Sequence, residues 1–180
     1  MSEGRSAVVV CGFGLRATPI HGAPSRLYVE GEALIAEHAK VELGPSSSAW
    51  RIETPAYRVP LPSGWTVRVG EPAANPLFEL LGPDEASIGI RTSRRMPSIE
   101  AFEGPGQVFR DVGQLERAGY IEFEEQDGAR TWLLRHEQLH RGTSPFVVTL
   151  RAPIERASAH LATLAMVVEG LEAPASAASA

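Results

Sequence analysis

Tyr120-Ile121-Glu122-Phe123-Glu124-Glu125-Gln126-Asp127-Gly128-Ala129-Arg130-Thr131-Trp132-Leu133-Leu134-Arg135-His136-Glu137-Gln138 is the most legible stretch of the chain. Two runs rich in strand-forming residues flank Asp127-Gly128, a pair that two-residue type I′ hairpin loops favour. With that pair as the loop, Glu125 faces Arg130, Phe123 faces Trp132 and Ile121 faces Leu134. An ionic, an aromatic and an aliphatic pair then share one face, which is how cross-strand pairs stabilise a sheet. Downstream, Gly142-Thr143-Ser144-Pro145 turns the chain into Phe146-Val147-Val148-Thr149-Leu150, a third strand of a meander. Pro153 then opens a helix at its favoured first position. Ile154, Ala157, Leu161, Leu164, Val168 and Leu171 form an apolar stripe of helical period. Residues 173–180 are small, polar or prolyl and read as a frayed tail.

Upstream, Gln107 to Ala118 reads as a helix, with Val108, Val112 and Leu115 on one face and Gly119 at the C′ position. Ser98 caps a short helical turn that Gly104-Pro105-Gly106 ends. Leu77 to Leu81 and Ser87 to Thr92 are strands joined through a Pro83-Asp84 turn. Ser63-Gly64 turns an extended Arg58–Leu61 segment into the alternating strand Trp65–Val69. Gly44-Pro45-Ser46-Ser47-Ser48 has linker composition and marks the best boundary. Before it lie a strand over residues 7–14, a loop over 15–25, a short strand over 26–30 and a helix over 32–41. The expected division is an extension over 1–48, an α+β domain over 49–172 and a disordered tail over 173–180.

The composition suits one globular domain of 180 residues, with 43% hydrophobic and 22% charged residues. A net charge of −5 argues against non-specific nucleic-acid binding. One cysteine excludes an internal disulfide framework and a multi-cysteine zinc site. No apolar run approaches the ~18 residues of a membrane span. Ala7-Val8-Val9-Val10-Cys11 looks like the stub of a lipoprotein signal, but its apolar run is short and Glu3 stands where positive charge is expected. The expectation is a cytoplasmic protein with Cys11 as a buried thiol in a strand.

From about Trp50 to Leu171 the chain resembles the PsbP-like superfamily. That group includes photosystem PsbP proteins, Mog-type Ran-binding proteins, DcrB-like bacterial proteins and chaperones of type VI secretion effectors. The likeness is carried by Tyr57-Arg58-Val59-Pro60-Leu61-Pro62-Ser63-Gly64-Trp65, similar to that family's extended P-x-G-W opening, and by element order. The resemblance implies an antiparallel sheet with helices packed on it and a C-terminal helix closing the domain. It also implies a chain that binds a partner rather than one that catalyses, and no active-site residues come with it.

Two motifs look catalytic. His136-Glu137-Gln138-Leu139-His140 is a literal H-E-x-x-H, which on a helix sets two histidines one turn apart with a glutamate to activate metal-bound water. Glu155 or His160 could complete the ligand set. If the segment is a strand, His136 and Glu137 point to opposite faces and the motif is lost. Val10-Cys11-Gly12-Phe13-Gly14-Leu15-Arg16-Ala17 contains G-x-G-x-x-A, with Glu30 at the spacing of a ribose ligand. That motif needs a helix starting at Gly14, which Pro19, Gly22 and Pro24 forbid.

Arg91, Arg94 and Arg95 form a basic cluster suited to a phosphate or an acidic peptide. Trp65, Trp132 and Phe123 on strand positions read as core. His160 borders the apolar stripe of the last helix and reads as packed or half-exposed. The resulting expectation is a non-enzymatic accessory or chaperone module for a protein partner, with no cofactor and with homodimerisation left open. The alternative is a small zinc hydrolase using Glu137, His136, His140 and Glu155.

Overall fold

The computed structural model describes residues 9–11, 15–19, 29–30, 50–54, 56–69, 78–92, 98, 101–114 and 118–173. Its strands are β1 (Val9–Cys11), β2 (Leu15–Pro19), β3 (Val29–Glu30), β4 (Trp50–Glu53), β5 (Arg58–Leu61) and β6 (Thr66–Val69). They continue as β7 (Phe78–Leu81), β8 (Ser87–Thr92), β9 (Gln107–Gln114), β10 (Ala118–Asp127), β11 (Arg130–Arg141) and β12 (Ser144–Pro153). One helix, α1 (Ala157–Glu169), follows. The architecture is α+β, a mostly antiparallel sheet with the C-terminal helix packed on it. Eight strands run in the order β3-β6-β7-β8-β12-β11-β10-β9, and four more in the order β1-β2-β4-β5. Two strands before residue 48 pair with strands after it, β2 with β4 and β3 in parallel with β6, while β1 pairs with β2.

β12 lies inside the large sheet and shows how side-chain alternation divides the core. Phe146, Val148, Leu150 and Ala152 join a cluster with Ile88 and Ile90 of β8, Trp50 and Ile52 of β4, Val59 and Leu61 of β5, and Leu164 and Val167 of α1. The small sheet and the helix thus cover one face of the large one. Val147 joins Phe102, Ile121, Phe123, Trp132 and Leu134 in a second cluster. Trp65, Trp132 and Phe123 are all buried, as expected of core aromatics. The Pro-Ser-Gly-Trp opening is a turn in which the Trp65 N–H donates to the Pro62 carbonyl at 3.1 Å. Gly64 supplies the positive φ of 77° that its third position requires. The turn drops the Trp65 ring over Gly82, where a Cβ would meet ring atoms at 2.6 Å.

The central hairpin forms, with its loop displaced by one residue. Asp127 pairs with Arg130, Glu125 with Trp132, Phe123 with Leu134 and Ile121 with His136. Gly128 and Ala129 are the loop, and of the two only Gly128 has a positive φ, 61°. That is the type II′ pattern, with glycine first, in place of type I′. Each partner moves by two residues, so every side chain keeps its expected face.

Three further expectations are corrected. The helix expected over 107–118 does not form: 107–114 are β9, and Gly119, the second residue of β10, pairs with Gln114 instead of capping a helix. Residues 15–19 are strand β2, not loop. Pro153 ends β12, and a 3-10 turn over Ile154–Arg156 separates it from α1. The expected helix over 32–41, the linker 44–48 and most of the tail lie outside the described residues.

Candidate functional site

β11 carries the H-E-x-x-H segment as strand, and that removes the geometry the motif needs. His136 and Glu137 point to opposite faces, and His136 and His140 stand four strand residues apart, about 13 Å along the strand. His136 is buried and His140 exposed. Among the described residues, no three histidine, cysteine, aspartate or glutamate side chains come together to hold a metal ion. Glu155 sits exposed in the 3-10 turn. The G-x-G-x-x-A motif meets a strand at Leu15, where a phosphate-binding helix would have to run. His160 is buried against the edge of Trp65, with ring centroids 6.0 Å apart.

Glu137 belongs instead to a buried ionic cluster. Arg135 donates from Nη1 to Glu122 at 2.8 Å and from Nε to Glu137 at 2.9 Å. Its guanidinium lies 3.8 Å from the centroid of the Tyr120 ring. Burial pushes the Glu137 carboxyl above the usual carboxylate range, and the Arg135 charge opposes that shift. One guanidinium between two buried carboxylates holds β10 to β11 on this face; it is a structural device.

On the opposite face, a shallow cleft of about 260 Å³ is lined by Glu79, Ser87, Gly89, Arg91, Leu134, His136, Thr149 and Arg151. His136 Nδ1 lies 2.9 Å from the Thr149 hydroxyl, and the imidazole stacks on Phe102 with centroids 4.6 Å apart. Burial, assisted by the Arg91 charge, lowers the His136 pKa to about 4, so the ring is neutral at physiological pH. Its Nε2 is buried without a hydrogen-bond partner. The other charges nearby are matched: Arg151 pairs with Glu125 at 3.1 Å and Asp127 at 2.8 Å, and Glu79 pairs with Arg68. Arg91 lies 5.5 Å from the Phe102 centroid, and no carboxylate of the described residues pairs with it. Of the expected basic cluster, Arg91 therefore lines the cleft; Arg94 and Arg95 lie outside the described residues.

The second feature is β9, an edge of the large sheet. Val108, Phe109 and Val112 are 68%, 53% and 50% exposed. Phe109 meets Phe123 edge-on at 6.2 Å, and Val112 pairs with Ile121. Arg110 is an extra residue, because Asp111 pairs with Glu122 while Phe109 pairs with Phe123. This bulge turns Arg110 towards Glu124 at 3.0 Å and Glu122 at 3.7 Å, while Asp111 accepts from the Tyr120 hydroxyl at 2.9 Å. Gly113 makes room for the Tyr120 ring, which a Cβ would meet at 2.6 Å. The helical expectation hid this edge; the β-branched and aromatic content of Gln107–Gln114 was the signal that could have exposed it.

No family model matches the chain, and no curated protein matches it. Among solved structures it is similar to the crystal structure of LpqN, involved in cell envelope biogenesis of Mycobacterium tuberculosis. That likeness has a TM-score of 0.45 and 13% identity, and covers 64% of this chain and 81% of that one. No helix among the described residues is long and apolar enough to cross a membrane.

Proposed function

We propose that the chain is a non-enzymatic protein-binding module, of the PsbP-like kind its Pro62–Trp65 opening resembles, which docks an extended protein segment on β9. One observation carries the reading: a strand at the sheet edge leaves Val108, Phe109 and Val112 half or more exposed. An exposed edge of this kind offers backbone hydrogen bonds for affinity and side-chain positions for specificity, the mode of strand addition. Natural edges are guarded by charge, proline, bulges or shortness, and three exposed apolar side chains on an eight-residue edge remain a liability unless something covers them. The experiment is capture of proteins from its own cells by the wild type and by Phe109→Asp/Val112→Asp, with hydrogen exchange on the captured complex. Loss of capture in the variant and slowed exchange of the β9 amides are expected. Equal capture by both overturns the reading.

A second reading attaches to the cleft, because Arg91 faces it without a carboxylate partner among the described residues and His136 Nε2 is unpartnered beside it. There the chain takes a small anion on the Arg91 guanidinium. Inorganic phosphate should shift the His136 ring resonances in the wild type and not in Arg91→Gln. Identical titrations would exclude this reading.

A further inference from the structure

We propose that the strand received by β9 is β9 of a second copy of this chain, paired antiparallel about a twofold axis passing between Arg110 and Asp111. This rests on β9 being the docking edge. Gln107-Val108-Phe109-Arg110-Asp111-Val112-Gly113-Gln114 is complementary to its own reverse. The pairing sets Arg110 opposite Asp111 of the second copy, and Asp111 opposite Arg110. It also sets Phe109 opposite Val112 twice, Val108 opposite Gly113, and Gln107 opposite Gln114.

Opposed residues of an antiparallel pair must share a face. In a regular strand, residues three apart point to opposite faces, so Phe109 and Val112 could not meet in this way. The extra residue Arg110 changes the phase. Phe109 lies opposite Phe123 and Val112 opposite Ile121, two residues of one cluster on one face. Arg110 and Asp111 reach Glu122 and Tyr120 on the other face. The Phe109–Val112 pairs therefore gather on one side of the new interface and the charge pairs on the other. At Gly113 the incoming Val108 meets the Tyr120 ring, which fills the place a side chain would take.

The bulge also selects the occupant. A bulge guards an edge because an incoming regular strand loses phase where the extra residue sits. A strand with the same extra residue across a twofold axis stays in phase on both flanks. The β9 edge thus disfavours most strands and fits its own copy. The contact is isologous and closes at a dimer. Eight residues from each copy make a small interface, so association belongs in the micromolar range.

Sedimentation velocity on the full chain, from about 1 µM to about 500 µM to bracket that range, tests the proposal. The wild type should pass from monomer to dimer. Arg110→Asp and Asp111→Arg should each stay monomeric, since each opposes like charges. An equimolar mixture of the two should regain the dimer, since the charges are again opposite. Should either variant fail to fold, a second test reads the register directly. Phe109→Cys and Val112→Cys, each made in a Cys11→Ser background, should give a covalent heterodimer when oxidised together, and neither should cross-link alone. A wild type that stays monomeric, charge variants that dimerise unchanged, or an oxidised mixture without the cross-link would each overturn the second copy as occupant. A monomer whose β9 variants still lose a captured protein overturns this inference alone; capture that ignores β9 overturns the docking edge as well.

Discussion

β12 and β9 belong to the same sheet and are held in opposite ways. Phe146, Val147, Val148 and Leu150 of β12 are fully buried, with one cluster on each face and a paired strand on each edge. Among the described residues β9 has one paired neighbour, β10, and its apolar side chains are half or more exposed. In β12 the residue types are explained by packing within the chain. In β9 the fold gains little from Val108, Phe109 and Val112, and the proposed partner strand is what would account for them. Truncation measures the contrast. Phe146→Ala should cost about 3–5 kcal/mol, the range for a buried phenylalanine, and shift the urea midpoint accordingly. A much smaller shift would mean that β12 is not the packed centre.

Arg135 tests whether the polar part of the sheet is held as tightly as its apolar part. Arg135→Leu would leave Glu137 buried without its cation and Glu122 with the longer Arg110 contact at 3.7 Å. The expected cost is about 3–5 kcal/mol at neutral pH, as for breaking one side of a buried ion pair. The cost should shrink in acid, where protonation neutralises the stranded carboxylates. A loss independent of pH would show that Arg135 acts only through its stacking on Tyr120.

His136 gives a smaller effect with a defined sign. Its pKa is near 4 in the folded chain and 6.5 for an unperturbed histidine. Between those values the unfolded chain binds a proton that the folded chain refuses. Stability is therefore fully present above pH 6.5 and falls as the pH drops towards 4, by up to about 3 kcal/mol. His136→Gln should lose this part of the slope while the wild type keeps it, measured by urea unfolding across that window. Parallel curves for the two proteins would mean that His136 is protonated in the folded state.

The same contrast explains what the sequence makes legible. The β10–β11 hairpin, the third strand of the meander and the C-terminal helix are written in alternation and period, because residues buried on known faces leave those patterns. A loop misplaced by one residue did not disturb the faces, since the error moved each partner by two. The helix expected over 107–118 rests on Val108, Val112 and Leu115 recurring at helical spacing, whereas in β9 Val108 pairs with Glu124 and Val112 with Ile121, on opposite faces. Strand propensity of Gln107–Gln114 points the other way, but the Tyr120 ring filling the place of a Gly113 side chain is a tertiary fact no local rule gives. The H-E-x-x-H decoy was settled by the hairpin beside it, since extending that strand through His136 already parts His136 from Glu137. The cleft was half legible: Arg91 stood out as a basic residue, whereas its approach to His136 and Phe102 depends on long-range packing.

The smallest expected stability change falls on β9 itself. Val112 is 50% exposed, so Val112→Lys removes little buried surface and should change stability by no more than about 0.5 kcal/mol, as for most surface substitutions. The same substitution puts a charge opposite Phe109 of a second copy, or beneath any strand laid on this edge, where an inward charge is among the strongest deterrents to pairing. Folding and association should therefore separate: an unchanged urea midpoint together with a weakened dimer. If Val112→Lys unfolds the chain as Phe146→Ala does, β9 is a packed strand like β12, and its apolar residues need no partner to explain them. If both midpoint and association are unchanged, Val112 lies outside the contact, and the register set by Arg110 and Asp111 is wrong.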